Sequence, residues 1–312
     1  MMAVWNTLEP IPEAFRGGAV TIGNFDGVHI GHASLVRKLK SHGLPTVAFT
    51  FDPHPARILF PDKAPERLTW TRRKVRLLEA CGVDLVVVCP TTRTILDWTA
   101  ETFFQRILCG TLDAKCVVEG NNFHFGKGRE GDNALLRQYC VARGMEMETI
   151  DSVFLDGTVV SSSRIRKLLQ AGNVADARRM LARPYRIRGT VVHGMARGRT
   201  LHFPTANLEG IDTLLPADGV YACRALVGDE TYSAALFIGP NVTFHEQARK
   251  VEAHLLDFHG NLYDREMKLD FLARIRGLMP FDTPEQLAEQ IRKDVAAIRL
   301  YPENGVQLMV NG

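Results

Sequence analysis

Apolar and polar positions alternate in two different ways along the chain, and the change falls near residue 185. In the first part, short apolar runs rich in β-branched residues predict strands at 19–22, 46–51, 85–89, 116–118 and 147–150. Between them, apolar positions recur with helical spacing at 32–40, 72–80, 100–108 and 134–142. Strands that are apolar on both faces, alternating with amphipathic helices, predict a parallel sheet covered on both sides.

After residue 185 the runs alternate polar and apolar residues and are bounded by Gly, Pro and Asn, at 185–193, 219–227, 231–238, 251–258 and 266–275. This pattern predicts antiparallel strands that close into a barrel or a sandwich. A last helix is predicted to begin at the cap Thr283, with Pro284 in its first position. Two short helices, at 165–171 and 174–181, precede the change. We therefore expect an α/β chain with domains at 1–184 and 185–312.

Composition limits the function classes. The 312 residues are 46% hydrophobic and carry a net charge of +3, which is typical of a globular chain and excludes disorder. The small positive charge suits an enzyme with anionic substrates, and the dispersed Lys and Arg argue against nucleic acid. Six cysteines without a C-x-x-C pair indicate free thiols rather than disulfides or a zinc site. With no signal-peptide pattern and no apolar window of about 18 residues, we expect a cytoplasmic protein without a membrane partner.

The segment 21–32 joins a predicted strand to a helix through a glycine-rich turn and contains His29 and His32. The first turn of a helix leaves N–H groups unpaired, so this is a favourable place for phosphate. Two imidazoles there could meet the negative charge that develops in a reaction. The segment has neither the three glycines of a dinucleotide fingerprint nor a Walker A lysine. Metal binding by the two histidines is a weaker interpretation, because no Cys or acidic partner lies at a suitable offset.

Two other loops follow predicted strands. The segment 51–55 is stiffened by two prolines, and a structural and a functional role are equally open. The segment 120–131 combines glycines with Lys127 and Arg129, which suit phosphate, while Phe123 or Phe125 could stack on a planar ring.

Serines at 161–163 precede a predicted helix, as ordinary N-caps do. Arg164 and Arg166 lie in its first turn, where cations are electrostatically unfavourable. A bound anion would relieve that cost, so this turn is a candidate anion site.

In the second domain a Gly/Arg-rich segment, 193–202, leads into the sequence Phe-Pro-Thr-Ala-Asn. Thr205 and Asn207 are two residues apart on an extended segment, so their oxygens point to one side and suit Mg²⁺. Along the run 251–258, Glu252 and His254 share a face. Glu252 is either a surface charge or a general base.

Seven segments, in this order, resemble the prokaryotic bifunctional riboflavin kinase/FMN adenylyltransferases, also called FAD synthetases: 23–32, 50–55, 123–131, 161–166, 203–208, 219–222 and 252–258. The resemblance implies an N-terminal Rossmann-like nucleotidyltransferase domain and a C-terminal riboflavin kinase-like barrel. Riboflavin, FMN and ATP would be the substrates, with Mg²⁺ as cofactor. The implied partners are small molecules, and self-association is left open.

For the adenylyltransferase domain, the resemblance implies that His29 and His32 stabilise charge at the α-phosphorus of ATP. The implied ATP-binding residues there are Gly23, Asn24, Phe25, Asp26, Ser161, Ser162, Ser163, Arg164 and Arg166. The implied flavin-binding residues are Pro55, Asn122, Phe123, Phe125 and Arg129.

For the kinase domain, the resemblance implies that Glu252 is the base for the ribityl hydroxyl and that Thr205 and Asn207 hold Mg²⁺. Arg276 would lie near the flavin. A flap over the nucleotide would include Gly194, Arg197, Gly198 and Arg199.

The chain departs from the family pattern at three places. His202 stands where the family usually has Gly, Asn122 where it has Asp, and 240–243 where it has Arg-Pro-Thr. These departures leave open an enzyme with only one working domain. A second alternative is a flavin- or nucleotide-binding regulator without turnover.

Overall fold

The computed structural model describes residues 2–194, 203–240 and 248–301. Contacts divide the chain into two compact units, Met1–Ser161 and Ser162–Gly312. The predicted boundary at residue 184 stays a prediction. The two short helices that precede it belong to the second unit by their contacts.

The first unit contains a six-stranded sheet in which all neighbouring strands are parallel. Its strands are β1 (Ala3–Trp5), β2 (Ala19–Ile22), β3 (Thr46–Asp52), β4 (Leu85–Pro90), β5 (Cys116–Gly120) and β6 (Glu146–Ile150), in the spatial order β1-β4-β3-β2-β5-β6. This confirms the predicted parallel sheet. Strand β1 was not among the predicted strands, because three residues are too few to show a period.

Helices connect and cover the strands: α1 (Ile30–Lys40), α2 (Pro55–Leu59), α3 (Thr71–Ala80), α4 (Arg93–Leu96), α5 (Ala100–Phe103) and α6 (Asn133–Ala142). After α5 the chain continues as a π-helix over Phe104–Thr111. A short hairpin, β7 (Phe154–Leu155) and β8 (Thr158–Val159), ends the unit. Apolar side chains of the strands pack into separate core clusters with the helices, so the sheet is buried on both faces as predicted.

The strand order reverses between β2 and β5, and these two strands pair over only two residues. Where they separate, the buried carboxyl group of Glu119 accepts a hydrogen bond from the backbone N–H of Ile22 at 2.6 Å. A side chain thus replaces the missing ladder bond. Ligands of open parallel sheets bind at such a reversal, beyond the carboxyl ends of the strands.

The second unit begins with α7 (Ser162–Gln170) and α8 (Val174–Leu181). Six antiparallel strands then form a closed barrel in the order β10-β13-β12-β11-β14-β9. They are β9 (Tyr185–Val192), β10 (Ala206–Glu209), β11 (Gly219–Val227), β12 (Glu230–Pro240), β13 (Arg249–Leu255) and β14 (Glu266–Arg276). Of the two predicted possibilities, barrel and sandwich, the structure is the barrel.

The terminal helix α9 (Pro284–Arg299) confirms the predicted start, since the hydroxyl of Thr283 accepts a hydrogen bond from the N–H of Gln286 at 3.3 Å. Its Ile298 packs with Leu256 and Ala222 on the outer side of the barrel. Among the described residues, no helix combines the length and the apolar composition needed to cross a bilayer.

Candidate active sites

The two histidines of the glycine-rich turn cap helix α1 together. The N–H of His32 donates to Nδ1 of His29 at 3.4 Å, and the N–H of His29 donates to Nδ1 of His32 at 3.3 Å. Their rings stack with centroids 3.7 Å apart. Because each Nδ1 accepts a backbone hydrogen bond, each ring in its neutral form carries its proton on Nε2. The site therefore presents two imidazole N–H donors at a helix N-terminus.

The loop that leads into this pair is strained. Phe25 and Val28 both have positive φ, at 45° and 41°, which costs about 1–3 kcal/mol each for residues other than glycine. The ring of Phe25 is buried edge-on against His32, with centroids 5.2 Å apart. Gly23 makes room for it, since a Cβ there would lie 3.2 Å from the Phe25 ring. Strain that persists in a buried loop is typical of functional sites, where the surroundings fix the geometry.

Two other predicted ATP-binding residues have different surroundings. The carboxylate of Asp26 is buried and accepts hydrogen bonds from the N–H groups of Leu68 and Thr69 at 2.9–3.1 Å. It therefore ties the turn to the start of α3. The side-chain oxygen of Asn24 is buried without a hydrogen-bond partner within the described residues. Such an acceptor is costly unless a ligand supplies a donor.

The segment after β3 is held by its own histidine. Nδ1 of His54 accepts from the N–H of Ala56 at 3.1 Å and caps α2, whose first residue is Pro55. This hydrogen bond stiffens the segment in addition to the two prolines, and it was not predicted from the sequence. The predicted flavin contact of Pro55 stays a prediction.

In the loop 120–131, Phe125 is a core residue. Its backbone forms two hydrogen bonds of 3.0 Å with Gly131, and its ring is buried against Phe103 and Phe123. Stacking of Phe125 on a ligand is therefore not supported by its burial. Phe123 lies parallel to it, at 5.6 Å, and is partly exposed, so it is the better candidate for ring stacking. Asn122 and Arg129 are exposed.

The serine–arginine turn forms the start of α7, which begins at Ser162, three residues earlier than predicted. Its first turn contains no acidic residue, while Ser163 and Arg164 are exposed and Ser161, Ser162 and Arg166 are partly exposed. The helix keeps two arginines near its positive end, as the sequence analysis noted. Its role in ATP binding stays a prediction.

The barrel brings together the residues predicted for the kinase site. Asn207 of β10 pairs with Glu252 of β13 in the strand register, and the hydroxyl of Thr205 donates to Oε2 of Glu252 at 3.4 Å. The three side chains are partly or fully exposed, while their neighbours Ala206 and Ala253 point into the core. Three hard-oxygen side chains, from β10, the residue just before it and β13, therefore share the outer face of the barrel.

Next to this cluster, Nδ1 of His254 lies 2.9 Å from the carbonyl oxygen of Pro204, and its ring meets Phe203 edge-on at 5.5 Å. These contacts hold the segment that carries Thr205. Gly194 lies against the amide of Asn207, and a Cβ there would overlap that side chain. The predicted flap residues Arg197, Gly198 and Arg199, and the departures at His202 and Asn241, lie outside the described residues.

The guanidinium of Arg276, predicted to lie near the flavin, is held by a carboxylate of the terminal helix. Its Nε donates to both oxygens of Asp294 at 2.9 and 3.1 Å, and its Nη2 lies 2.8 Å from the same group. Asp294 was not predicted from the sequence to be a site residue. A signal for it exists, because it is an acidic residue among buried positions of an amphipathic helix. Two further buried charged residues in the sheet domain, Glu119 and Lys74, were also not predicted as candidate site residues.

All six cysteines are free, and four of them are buried. Burial raises the pKa of Cys89 to about 12, so its thiol is a weak nucleophile at neutral pH. His42, Cys116 and Glu146 place potential metal-ligand atoms within 4.8 Å of one another. His42 also lies 3.6 Å from Glu148, so its ring sits between two carboxylates. The expectation that the cysteines form no zinc site stays a prediction.

Comparison with known families agrees with the two-unit architecture. A family model described as FAD synthetase matches residues 11–164, and one described as riboflavin kinase matches residues 181–301. The first model ends within α7, and the second begins at the last residue of α8.

Individual relatives match nearly the whole chain. The bifunctional riboflavin kinase/FMN adenylyltransferase of Escherichia coli (strain K12) is 36% identical over 289 residues, which cover 91% of this chain and 92% of that protein. The protein of the same name from Haemophilus influenzae is 34% identical over 291 residues and covers 92% of this chain. A crystal structure named as a macrolide-efflux protein from Streptococcus pneumoniae superposes with a TM-score of 0.83 at 31% identity, covering 92% of this chain and 95% of that one.

Proposed function

The chain belongs to the family of bifunctional riboflavin kinase/FMN adenylyltransferases, and we propose which of its residues perform the two reactions. The barrel transfers a phosphoryl group from ATP to riboflavin and forms FMN. The sheet domain transfers the adenylyl group of a second ATP to FMN and forms FAD and pyrophosphate. Riboflavin, FMN and ATP are the substrates.

In the adenylyltransferase reaction, an oxygen of the FMN phosphate attacks the α-phosphorus of ATP while the bond to pyrophosphate breaks. Such transfers need positioning and charge stabilisation and little covalent work by the protein. We assign His29 and His32 to this task. Their Nε2–H groups donate to the non-bridging α-phosphate oxygens as negative charge develops there, and the N-terminus of α1 adds its partial positive charge.

Donation by neutral imidazoles is compatible with the backbone hydrogen bonds at both Nδ1 atoms. The serines and arginines of the α7 turn would hold the outer phosphates of ATP, and this assignment rests on the resemblance of 161–166.

In the kinase reaction, Glu252 takes the proton from the ribityl 5′-hydroxyl, and the freed oxygen attacks the γ-phosphorus of ATP while ADP leaves. A carboxylate within hydrogen-bond reach of the hydroxyl suits this role. The contact with Thr205 fixes the carboxylate on the outer face of the barrel, where a substrate can approach it.

Thr205 and Asn207 would hold Mg²⁺. Their hard oxygens beside a carboxylate fit its preferences, and Gly194 leaves the Asn207 amide the space that a side chain would fill. Bound there, Mg²⁺ would neutralise charge on the ATP phosphates. Arg276, oriented by Asp294, would lie at the flavin end of the site.

The observation that carries these assignments is that each unit assembles its own reactive side chains: the stacked histidines in the sheet domain and the Thr205–Glu252 pair on the barrel. Incubation with riboflavin, ATP and Mg²⁺, followed by chromatography of the flavins, tests them. We expect FAD without added FMN. FMN alone would point to an enzyme in which only the kinase domain works. Unchanged riboflavin would point to an inactive kinase domain, and a second incubation with added FMN then separates a working adenylyltransferase domain, which forms FAD, from a regulator without turnover. The cytoplasmic location stays a prediction from the sequence.

A further inference from the structure

A pocket in the sheet domain lies beyond the carboxyl end of β3. It is on the β3 side of the loop 23–29 (the His29 loop), away from the strand-order reversal between β2 and β5. Asn24 and Asp26 of that loop line it together with Asp52, Arg57, Arg67 and Lys74. The three cations of this pocket, Arg57, Arg67 and Lys74, have no role in the assignments above. Its walls come from the His29 loop, the end of β3, α2, the segment 65–71 and α3.

Lys74 is the unusual member of this pocket because its side chain is 7% exposed. Its Nζ donates to the hydroxyl oxygen of Thr50 at 3.2 Å, and among the described side chains none forms an ion pair with it. Burial lowers the pKa of Lys74, while the charges of Asp26 and Asp52 act in the opposite direction. A buried ammonium without a direct counter-ion is expensive, and it keeps donors for a ligand.

Lys74 is also connected to the His29 loop. The hydroxyl of Thr50 that accepts from Lys74 donates to the carbonyl oxygen of Asn24 at 3.3 Å. Asn24 itself presents a buried side-chain oxygen without a partner. The residues that line the pocket therefore include an ammonium donor and an amide acceptor, which fits a ligand that carries both an anion and a hydroxyl.

The charges around the pocket favour an anion. Lys74, Arg57 and Arg67 face Asp26 and Asp52, which leaves one positive charge when His54 is neutral. Both carboxylates already accept other hydrogen bonds: Asp26 from two backbone N–H groups, and Asp52 from the hydroxyl of Thr71 at 2.8 Å. Their charges are partly met by these donors, so they oppose an entering phosphate less than free carboxylates would.

We propose that this pocket binds the ribityl phosphate of FMN, with Lys74 donating to the phosphate oxygens. Asn24, which the family resemblance implies as an ATP contact, would instead accept a hydrogen bond from a ribityl hydroxyl. The inference rests on the proposed adenylyltransferase function of this domain. Lys74 is a substrate-binding residue of that reaction, and Thr50 is a positioning residue that acts through it.

The topology decides between FMN and ATP as the occupant. Nucleotides in open parallel sheets take the crevice at the strand-order reversal, which here lies between β2 and β5. In an in-line transfer the attacking and leaving oxygens lie on opposite sides of the phosphorus. With ATP at the reversal, the attacking phosphate enters from the β3 side of the His29 loop, where the pocket lies.

The test is steady-state kinetics of FAD formation from FMN in the full-length Lys74→Met variant, with FMN and ATP varied separately. Loss of one charged hydrogen bond to phosphate predicts a KM for FMN that is about 10- to 100-fold higher, with the KM for ATP unchanged. Lys74→Arg keeps the charge and should retain part of the affinity. Lys63→Met, at an exposed lysine outside the pocket, is the matched control and should behave as wild type.

Circular dichroism and the thermal unfolding curve of each full-length variant, compared with those of the wild type, report whether its sheet domain is folded. If Lys74→Met does not fold, Thr50→Val serves instead, since it keeps the size and removes the hydroxyl that holds Nζ. It should raise the KM for FMN several-fold. A rise in the KM for ATP, or a wild-type KM for FMN in folded Lys74→Met or in Thr50→Val, overturns the proposal. A wild-type protein that makes no FAD from FMN would instead refute the adenylyltransferase assignment itself.

Discussion

The two candidate sites are built from different kinds of sequence information. In the sheet domain the histidines are three residues apart, and one helix start determines their geometry. On the barrel, Thr205 and Glu252 are 47 positions apart and meet only because β10 pairs with β13 in one register. The local site depends on one turn and the residues that pack against it, whereas a site that spans strands depends on the register of the barrel. This difference predicts that the sites can be damaged separately.

The largest expected effect is that of Glu252→Gln. Loss of the general base should reduce FMN formation from riboflavin by about 10³- to 10⁴-fold, while FAD formation from FMN stays at the wild-type rate. The measurement is chromatography of flavins from each substrate. Glu209→Gln, at an exposed carboxylate at the end of β10, is the control and should keep both activities. Loss of both activities in Glu252→Gln would show that the sites are not separable.

The next prediction tests the dependence of the barrel site on the fold. Asp294→Ala leaves the guanidinium of Arg276, which is 16% exposed, without its buried partner. The barrel should lose about 3–5 kcal/mol of unfolding free energy, measured by denaturant titration. Asp257→Ala breaks the exposed pair with Arg299 and should cost at most about 1 kcal/mol. Equal losses in the two variants would mean that the Asp294 contact does not support the barrel.

The local site is tested by His29→Asn, because Asn can cap a helix but cannot supply the imidazole donor. FAD formation from FMN, followed as pyrophosphate release, should fall by about 10²-fold. Riboflavin phosphorylation should not change. His42→Asn, just after the other end of α1, is the matched control. A His29→Asn protein that retains wild-type FAD formation would exclude His29 from the reaction.

The smallest effect concerns the support beneath the local site. Burial raises the pKa of Glu119 well above its ordinary value of 4.5. Above pH 4.5 the unfolded chain loses this proton and the folded chain keeps it, so stability falls as pH rises towards the folded pKa. Glu119→Gln removes this penalty. Its unfolding free energy, relative to wild type, should increase from about pH 5 to about pH 8, by at most about 1.4 kcal/mol per pH unit. A difference independent of pH would show that Glu119 is ionised in both states.

Much of the fold could be predicted because periodicity is a local signal. The parallel strands, the antiparallel run after residue 185 and the cap at Thr283 are all visible as short patterns. The motifs around His29 and Glu252 were visible for the same reason. Contacts between distant segments were not: Asp26 bound to the backbone of Leu68, and Glu119 in the gap between β2 and β5, depend on tertiary packing. The sequence gives no sign that Lys74 differs from an exposed lysine on a helix, because its burial depends on tertiary packing.

The separability of the two sites is tested most directly by mixing the Glu252→Gln and His29→Asn proteins with riboflavin, ATP and Mg²⁺ and measuring FAD. Neither variant alone should make FAD at an appreciable rate, because each lacks one step. The mixture should make FAD at least about tenfold faster than either variant, since FMN formed on one protein is adenylylated on the other. A mixture no faster than its better component would contradict two independent sites in this chain.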